Sequence, residues 1–559
     1  MSRRHSLAEE LRRANSTVVS GDDFAELALL HAAREEGRSH SRYGSVASEN
    51  DGSCGDGELL LEAPNDNKKK DRRLSLIGET ELLKDELKST ITLAIPIIST
   101  YLLELIPGIV TIILVGRADH GSASLTQLYL DAAALANMWV NITALSTGFG
   151  ILSAMDTLCA SAVGAKQYSK MGTFLLTGLC IISAVFGVVS MVVWKTDSAL
   201  LFLRQPVLPA THAGTFARWM LPGIPFLYAY EIVRKMTQAR GQTKPMVAAA
   251  IVSNIVNAGA GYYLVNFTEM KWLGAAAART LGSISLLPTM LIVLYYSEEA
   301  EACDISTKEW AKHVLSGMKA SSALTWKAIH KFLSLGIPGM AMLMFEWVAF
   351  EVVALLCGII PGDHEAIVAI GSNAIVFNIS SLLYMVYLGT SISGNVRLGT
   401  ALGSGDVERA TIASYITIGL GMSLSLFNMA VILSFRQDLC TLFTSDMELI
   451  EKSKSLLLVV ALYQFPDAVN AVEQGVYQAS GRQALGAKLN FIAYYIIGLP
   501  LAYLLAIPFG AGVGGLWFGM TIGLCFIASI NTFVILRSDW RTLSMDARKR
   551  LSISLPRES

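Results

Sequence analysis

Charge is what this 559-residue chain has least of: 16% of its residues are Asp, Glu, Lys or Arg, 53% are hydrophobic, and mean hydropathy is +0.48. A soluble domain carries about 25% charged residues, so a soluble globular class is excluded. Cysteine pairing is also missing. Seven cysteines, at 54, 159, 180, 303, 357, 440 and 525, lie scattered without a CxxC pair or metal-ligand spacing, and read as small apolar packing residues. There is no phosphate-binding loop and no nucleophile motif, so neither an enzyme nor a cofactor is expected. The net charge of −1 gives no pointer to nucleic acid, and none is expected as a partner. An apolar h-region is absent before residue 90, so the first spanning helix is expected to act as the insertion signal.

What is present is a series of long apolar runs, each near the ~20 residues that span a bilayer as a helix. They fall at about 89–115, 128–158, 171–194, 214–235, 245–265, 273–297, 330–360, 366–392, 409–434, 450–479, 485–508 and 514–537. The fold expected is an all-α polytopic membrane protein with about twelve transmembrane helices in two pseudo-symmetric six-helix lobes. Residues 1–88, rich in Ser, Glu, Arg, Gly and Asp, read as a disordered cytosolic tail. After it come an N-lobe over 89–297, a cytosolic linker over 298–329, a C-lobe over 330–537 and a cytosolic tail over 538–559. Within the linker region, Thr325–His330 is expected to lie at the interface as a short amphipathic helix. Arg3-Arg4-His5-Ser6, Arg72-Arg73-Leu74-Ser75 and Lys549-Arg550-Leu551-Ser552 have the form of basophilic kinase sites, and 56–61 that of an acidic dileucine signal.

The loops after even-numbered spans carry most of the cations, among them Lys166, Lys170, Arg234, Lys235, Arg240, Lys244, Lys308, Lys312, Arg397, Arg409, Arg482 and Lys488. The positive-inside rule then puts both termini in the cytoplasm.

The two halves repeat. LAIPIISTYLLELIPGIVTIILVG at 93–116 and LGIPGMAMLMFEWVAFEVVALLCG at 335–358 both begin L-x-I-P, carry Glu eight residues after the Pro and end in Gly. Glu104 and Glu346 are thus 242 apart, while Gln238-Ala-Arg-Gly241 and Gln478-Ala-Ser-Gly481 are 240 apart. Six spans per copy is even, so the copies keep one orientation, a symmetry that transporters use to place a site between rocking lobes.

Several motifs resemble the multidrug and toxic compound extrusion (MATE) family, in particular its eukaryotic branch. Ser153-Ala-Met-Asp156 with Gly164-Ala-Lys-Gln167 resembles its second-helix signature, and Glu346-Trp347-Val-Ala-Phe350-Glu351 its seventh-helix motif, although Val348 stands where the family has a second tryptophan. Val396-Arg397-Leu-Gly-Thr-Ala-Leu-Gly403 and the run Gly475-Val476, Gly481, Gln483, Asn490, Tyr494-Tyr495 and Pro500 resemble later helices. The resemblance implies a monomeric antiporter, with no cofactor beyond a coupling ion, that moves organic cations, xenobiotics or metabolites against inward H+, with Na+ the alternative, across the plasma or vacuolar membrane. It picks out Glu346, Glu351 and Asp467 as ion and substrate ligands, and Asn141 as a polar second-helix position; Glu473 has no counterpart in the pattern. Two other classes remain open: a flippase for lipid-linked substrates, and a membrane receptor or scaffold that transports nothing.

A membrane carboxylate costs roughly 2.5–3.5 kcal/mol on insertion scales, so it needs a partner or a task. Glu346 and Asp467 have no Lys or Arg as immediate sequence neighbours, which suits groups that alternate between a proton and a cation. Asp467, Asn470 and Gln474 share one helix face by their spacing. Glu104 is the symmetry partner of Glu346 and a candidate first-lobe proton site, with Glu231 a further candidate and Asp156 either a brace or a titrating group. Trp347, Tyr494 and Tyr495 are candidate cavity aromatics.

Overall fold

Lipid offers no partner to backbone N–H and C=O groups, so a chain this apolar must satisfy them inside helices. In the computed structural model, which describes residues 66–118, 121–297, 305–319 and 324–552, helices account for the architecture. The chain divides into units Met1–Arg72 and Arg73–Ser559, and the second holds the apolar helices. The kinase-type motif at 3–6 and the sorting signal at 56–61 lie outside the described residues.

Eleven helices among the described residues are long and apolar enough to cross a membrane. In chain order the main elements are α1 (Asp66–Arg117), α2 (Ala123–Gly164), α3 (Tyr168–Trp194), α4 (Val207–Met220), α5 (Ile224–Ala239), α6 (Lys244–Phe267) and α7 (Trp272–Tyr296). They continue with α8 (Thr307–Lys319), α9 (Trp326–Cys357), α10 (Asp363–Ser404), α11 (Val407–Thr441), α12 (Met447–Ser480), α13 (Gln483–Ala506), α14 (Gly512–Leu536) and α15 (Trp540–Ser552). The fourth expected span is the one that is broken. Leu221-Pro222-Gly223 forms a single 3-10 turn between α4 and α5, since Pro222 has no N–H to continue the α-ladder.

Three expectations need correction. Helix α1 begins at Asp66, so the last part of the supposed tail is helical. Its anchor is Glu86, fully buried, which takes Arg397 at 2.6 and 2.5 Å and Arg409 at 2.9 Å. The amphipathic helix of the linker is α8, upstream of Thr325, laid on α3 through Trp310 and Val314. Thr325 instead caps α9, accepting from the Ala328 N–H at 3.3 Å, so residues 326–330 start a spanning helix. The expected C-terminal tail contains α15, docked through Trp540, Ala547 and Leu551.

The two lobes meet along the second half of α2, where Ser, Gly and Ala let backbones approach closely. A Cβ at Gly164 would collide with the Thr400 carbonyl, and one at Gly403 with the Ser161 carbonyl. Thr157 ties the lobes by donating to the Gln478 carbonyl at 2.5 Å while accepting from Gln483 Nε2 at 2.7 Å. Around this seam Arg548 donates to the Gly403 and Ser404 carbonyls, Arg550 to Ser480 O, and Lys170 to the Leu551 carbonyl. These bonds tie the lobes together at the end of the bundle that carries most of the basic loops.

Candidate functional site

In the C-lobe, Pro466 sits inside α12, where its missing N–H removes one rung of the helix ladder. Asp467 follows it, 2% exposed, and accepts from the Tyr463 hydroxyl one turn earlier at 2.9 Å. Glu346 on α9 is 3% exposed, and its Oε2 accepts from Gln474 Nε2 on α12 at 2.9 Å. The two carboxylates are close enough to interact electrostatically. Among the described residues, no Lys or Arg lies within ion-pair distance of either. A buried carboxylate without a cation is stable only when protonated or when a cation arrives.

The surrounding wall is aromatic and amide-rich. Phe350 packs against Tyr463, Tyr494 and Trp517 with ring centroids 6.1–6.4 Å apart. Tyr387 donates to Gln464 at 2.7 Å and accepts from Asn428 at 2.9 Å. Asn470 accepts from Asn531 on α14 at 3.4 Å. The helical stripe is therefore only partly convergent: Gln474 reaches Glu346, and Asn470 turns toward α14.

The remaining candidates separate. Tyr494 joins the Phe350 cluster, while Tyr495 stacks on Phe491 at 5.5 Å and meets Phe345 edge-on at 5.7 Å. Both tyrosines lie in a π-helical turn, Ile492–Gly498, and Asn141 heads another, Asn141–Leu145, with its buried Oδ1 unpartnered. Such turns recur at functional sites. Trp347 and Glu351 are half-buried, and no hydrogen bond to the Glu351 carboxylate is formed among the described residues. Glu473 is fully buried; Thr532 donates to its Oε1 at 2.5 Å and Oε2 has no hydrogen-bond partner.

The N-lobe is built differently at the matching place. Arg234 Nη1 donates to both oxygens of Glu104, at 2.6 and 2.9 Å, and Arg234 Nη2 pairs with Glu231 at 2.5 Å. Lys235 Nζ lies 2.6 Å from Asp156 and 3.4 Å from Glu231. The Arg234 guanidinium also sits 4.7 Å from the Tyr101 ring centroid. Three carboxylates thus meet two cations. Arg234 and Lys235, read from the sequence as loop cations, are buried on α5, which runs on to Ala239.

The internal repeat explains the contrast. Gly241 and Gly481, 240 residues apart, end their helices in the same left-handed conformation, both at φ 75°. At that register Arg234 matches Gln474, Lys235 matches Gly475, Glu231 matches Ala471 and Leu227 matches Asp467. One lobe surrounds its glutamate with charge, whereas the other offers an amide and adds a second carboxylate. Sequence reasoning missed this substitution, although the 240-residue offset already placed Arg234 over Gln474.

Comparison with known proteins gives the same division of the chain. The MatE family model matches twice, over residues 96–263 and 338–504. Multidrug and toxin extrusion protein 1 of Danio rerio is 26% identical over 84% of this chain and 76% of its own length. Protein DETOXIFICATION 14 of Arabidopsis thaliana is 29% identical over 79% of this chain and 86% of its own. Among solved structures, the eukaryotic MATE transporter AtDTX14 superposes with a TM-score of 0.75 at 28% identity, covering 84% of this chain and all of that one. An outward-facing multidrug resistance MATE transporter of the MOP superfamily shares the fold, with a TM-score of 0.66 at 17% identity over 84% of this chain and 98% of its own.

Proposed function

This chain belongs to the MatE family, and on that footing we propose that it is a secondary active exporter of organic cations, xenobiotics or metabolites, exchanging them for H+ by alternating access. The observation that carries the proposal is the buried carboxylate pair Glu346 and Asp467, met by the Gln474 amide and the Tyr463 hydroxyl and, among the described residues, by no Lys or Arg.

A carboxylate pair of this kind has two stable conditions. Protonated, it is neutral and tolerates burial; deprotonated, it needs a positive charge beside it. An organic cation supplies that charge, and a proton displaces it. The aromatic wall of Phe350, Tyr463, Tyr494 and Trp517 suits a flat or quaternary cation. Proton and substrate then occupy the C-lobe in turn, and the lobes, joined along α2, rock between faces. The ion-paired N-lobe network has no need to titrate and serves as the rigid counterpart.

Sodium is the second reading for the coupling ion, because the same carboxylates could hold it. The acidic C-lobe site argues against a flippase, whose phosphate-bearing substrate would call for arginines. The protein acts as a monomer with both termini cytoplasmic, in the plasma or vacuolar membrane. The test is efflux of labelled tetraethylammonium from proteoliposomes under an imposed pH gradient, then under a sodium gradient alone. Efflux driven by the pH gradient alone supports H+ exchange; efflux driven only by sodium would replace H+ with Na+, and no exchange under either would reject the transport reading.

A further inference from the structure

Helix α8 has one face committed to the N-lobe and one face free. Trp310, Val314 and Gly317 are buried on the committed face. Trp310 Nε1 meets Met171 Sδ at 3.4 Å, the Arg240 guanidinium sits 4.4 Å from the Trp310 ring centroid, and Thr173 donates to the Gly317 carbonyl at 3.3 Å. A Cβ at Gly317 would collide with the Ser169 carbonyl, so the helix is pressed against the start of α3. Ser306 and Glu309 cap its first turn reciprocally: the Ser306 hydroxyl accepts from the Glu309 N–H at 3.3 Å, and the Glu309 carboxylate from the Ser306 N–H at 3.4 Å.

The opposite face reads Lys308, Lys312, Leu315 and Lys319, at spacings of four, three and four, which make one stripe about 16 Å long. All four are exposed, and the three lysines form no ion pair among the described residues. Glu309, the acid of this helix, is used in the cap. Leu315 is 58% exposed among the lysines, and Trp326, in the first turn of spanning helix α9, is 77% exposed. Tryptophan at the mouth of a spanning helix belongs at headgroup level. Lysines that surround an exposed leucine fit the same depth, with their stems along apolar surface and their ammonium groups among phosphates.

We propose that the outer stripe of α8 docks on anionic phospholipid headgroups of the cytoplasmic leaflet, with Lys308, Lys312 and Lys319 on the headgroup anions and Leu315 and Trp326 at the acyl boundary. Charge complementarity selects this occupant, because three unpaired cations within about 16 Å match a negatively charged leaflet. Helix α8 is fixed to α3 of the N-lobe, and residues 320–325 alone separate it from α9 of the C-lobe. The lipid contact therefore holds the connection between the lobes at the membrane surface. The inference rests on the cytoplasmic placement proposed above for this end of the bundle.

The test uses the full-length protein in neutral detergent micelles, titrated with phosphatidylserine or with phosphatidylcholine of the same acyl chains, and bound lipids are counted by native mass spectrometry. Wild type is expected to retain phosphatidylserine at an about tenfold lower concentration, and the preference to shrink as salt is raised. Lys308→Gln/Lys312→Gln/Lys319→Gln is expected to abolish the preference. Arg117→Gln/Lys195→Gln/Lys271→Gln, which removes exposed cations from the other end of the bundle, is expected to keep it. Glycerophosphoserine, the same headgroup without chains, is expected not to displace the lipid at equal concentration. Equal retention of the two lipids, a preference that survives the α8 substitutions or is lost with the others, or displacement by the soluble headgroup would overturn the proposal. Micelles have no sides, so this result is separable from the cytoplasmic placement. That placement is read from exposed Ser316→Cys in sealed right-side-out vesicles: a membrane-impermeant maleimide is expected not to label it above the wild-type background, and labelling would overturn the leaflet assigned.

Discussion

Arg234 grips both carboxylate oxygens of Glu104, at 2.6 and 2.9 Å, at the position where the second half of the chain places Gln474 against Glu346. An ion pair in one lobe has become a neutral amide contact in the other, at the same place in the repeat. That exchange leaves the C-lobe carboxylate without a cation partner among the described residues and the N-lobe carboxylate paired.

The first prediction restores the symmetry. Gln474→Arg is expected to clamp Glu346 as Arg234 clamps Glu104, lowering proton-driven transport about tenfold or more while the protein still folds. Proteoliposome efflux beside a size-exclusion profile checks it. Undiminished transport in a folded Gln474→Arg protein would show that Glu346 does not exchange ions.

The N-lobe network makes an opposite prediction about stability. Lys235 and Asp156 are both buried and paired at 2.6 Å. Removing one partner strands the other charge, so Lys235→Met should cost about 3–5 kcal/mol. The double variant Lys235→Met/Asp156→Asn should recover most of that loss. A double-mutant cycle on thermal stability in nanodiscs measures it, and additive losses would show the pair is not coupled.

The basic end makes a third. Helix α15 bridges the lobes through Lys170 and Leu551 on one side and Arg548 and Arg550 on the other. Deleting residues 540–559 should loosen the seam without touching either carboxylate. A Ser161→Cys reporter, buried at that seam, should then react at least several-fold faster with a membrane-impermeant maleimide in the truncated protein than in the intact one. Equal labelling rates would show that α15 does not hold the seam closed.

Much of the architecture was readable from residues and some was not. The apolar runs gave the helices because lipid permits little else, and Pro96 with Glu104 against Pro338 with Glu346 exposed the duplication. The break in the fourth span was also written in Leu221-Pro222-Gly223, but hydropathy averages across such a turn. Charge misled at Arg234 and Lys235: near a helix end they look like loop cations, and only three-dimensional packing shows them compensating Glu104, Glu231 and Asp156. The same averaging hid Glu86, whose acidic surroundings read as tail until Arg397 and Arg409, more than 300 residues later, close on it.

Outside the spans, a fourth prediction concerns pH. Asp197 lies on the short helix Thr196–Phe202; burial acts upward on its carboxyl, but the Ser198 amide at 2.8 Å and Arg218 at 2.6 Å outweigh it and hold the group below the usual range. Its small stabilising contribution is therefore present above the ordinary carboxylate pKa of about 3.9 and is lost as pH falls through the lower folded value. The midpoint difference between wild type and Asp197→Asn should be constant above about pH 5 and shrink as pH falls through the lowered folded value. A difference that grows on acidification would contradict the assignment.

The central claim is that proton and organic cation exclude one another at Glu346 and Asp467. Its most direct measurement is proton release from the purified protein in weakly buffered solution as tetraethylammonium binds. Wild type should release protons in step with binding, on the order of one per bound cation, and Glu346→Gln/Asp467→Asn should release none. Binding without proton release in wild type, or unchanged release in the double variant, would contradict the account.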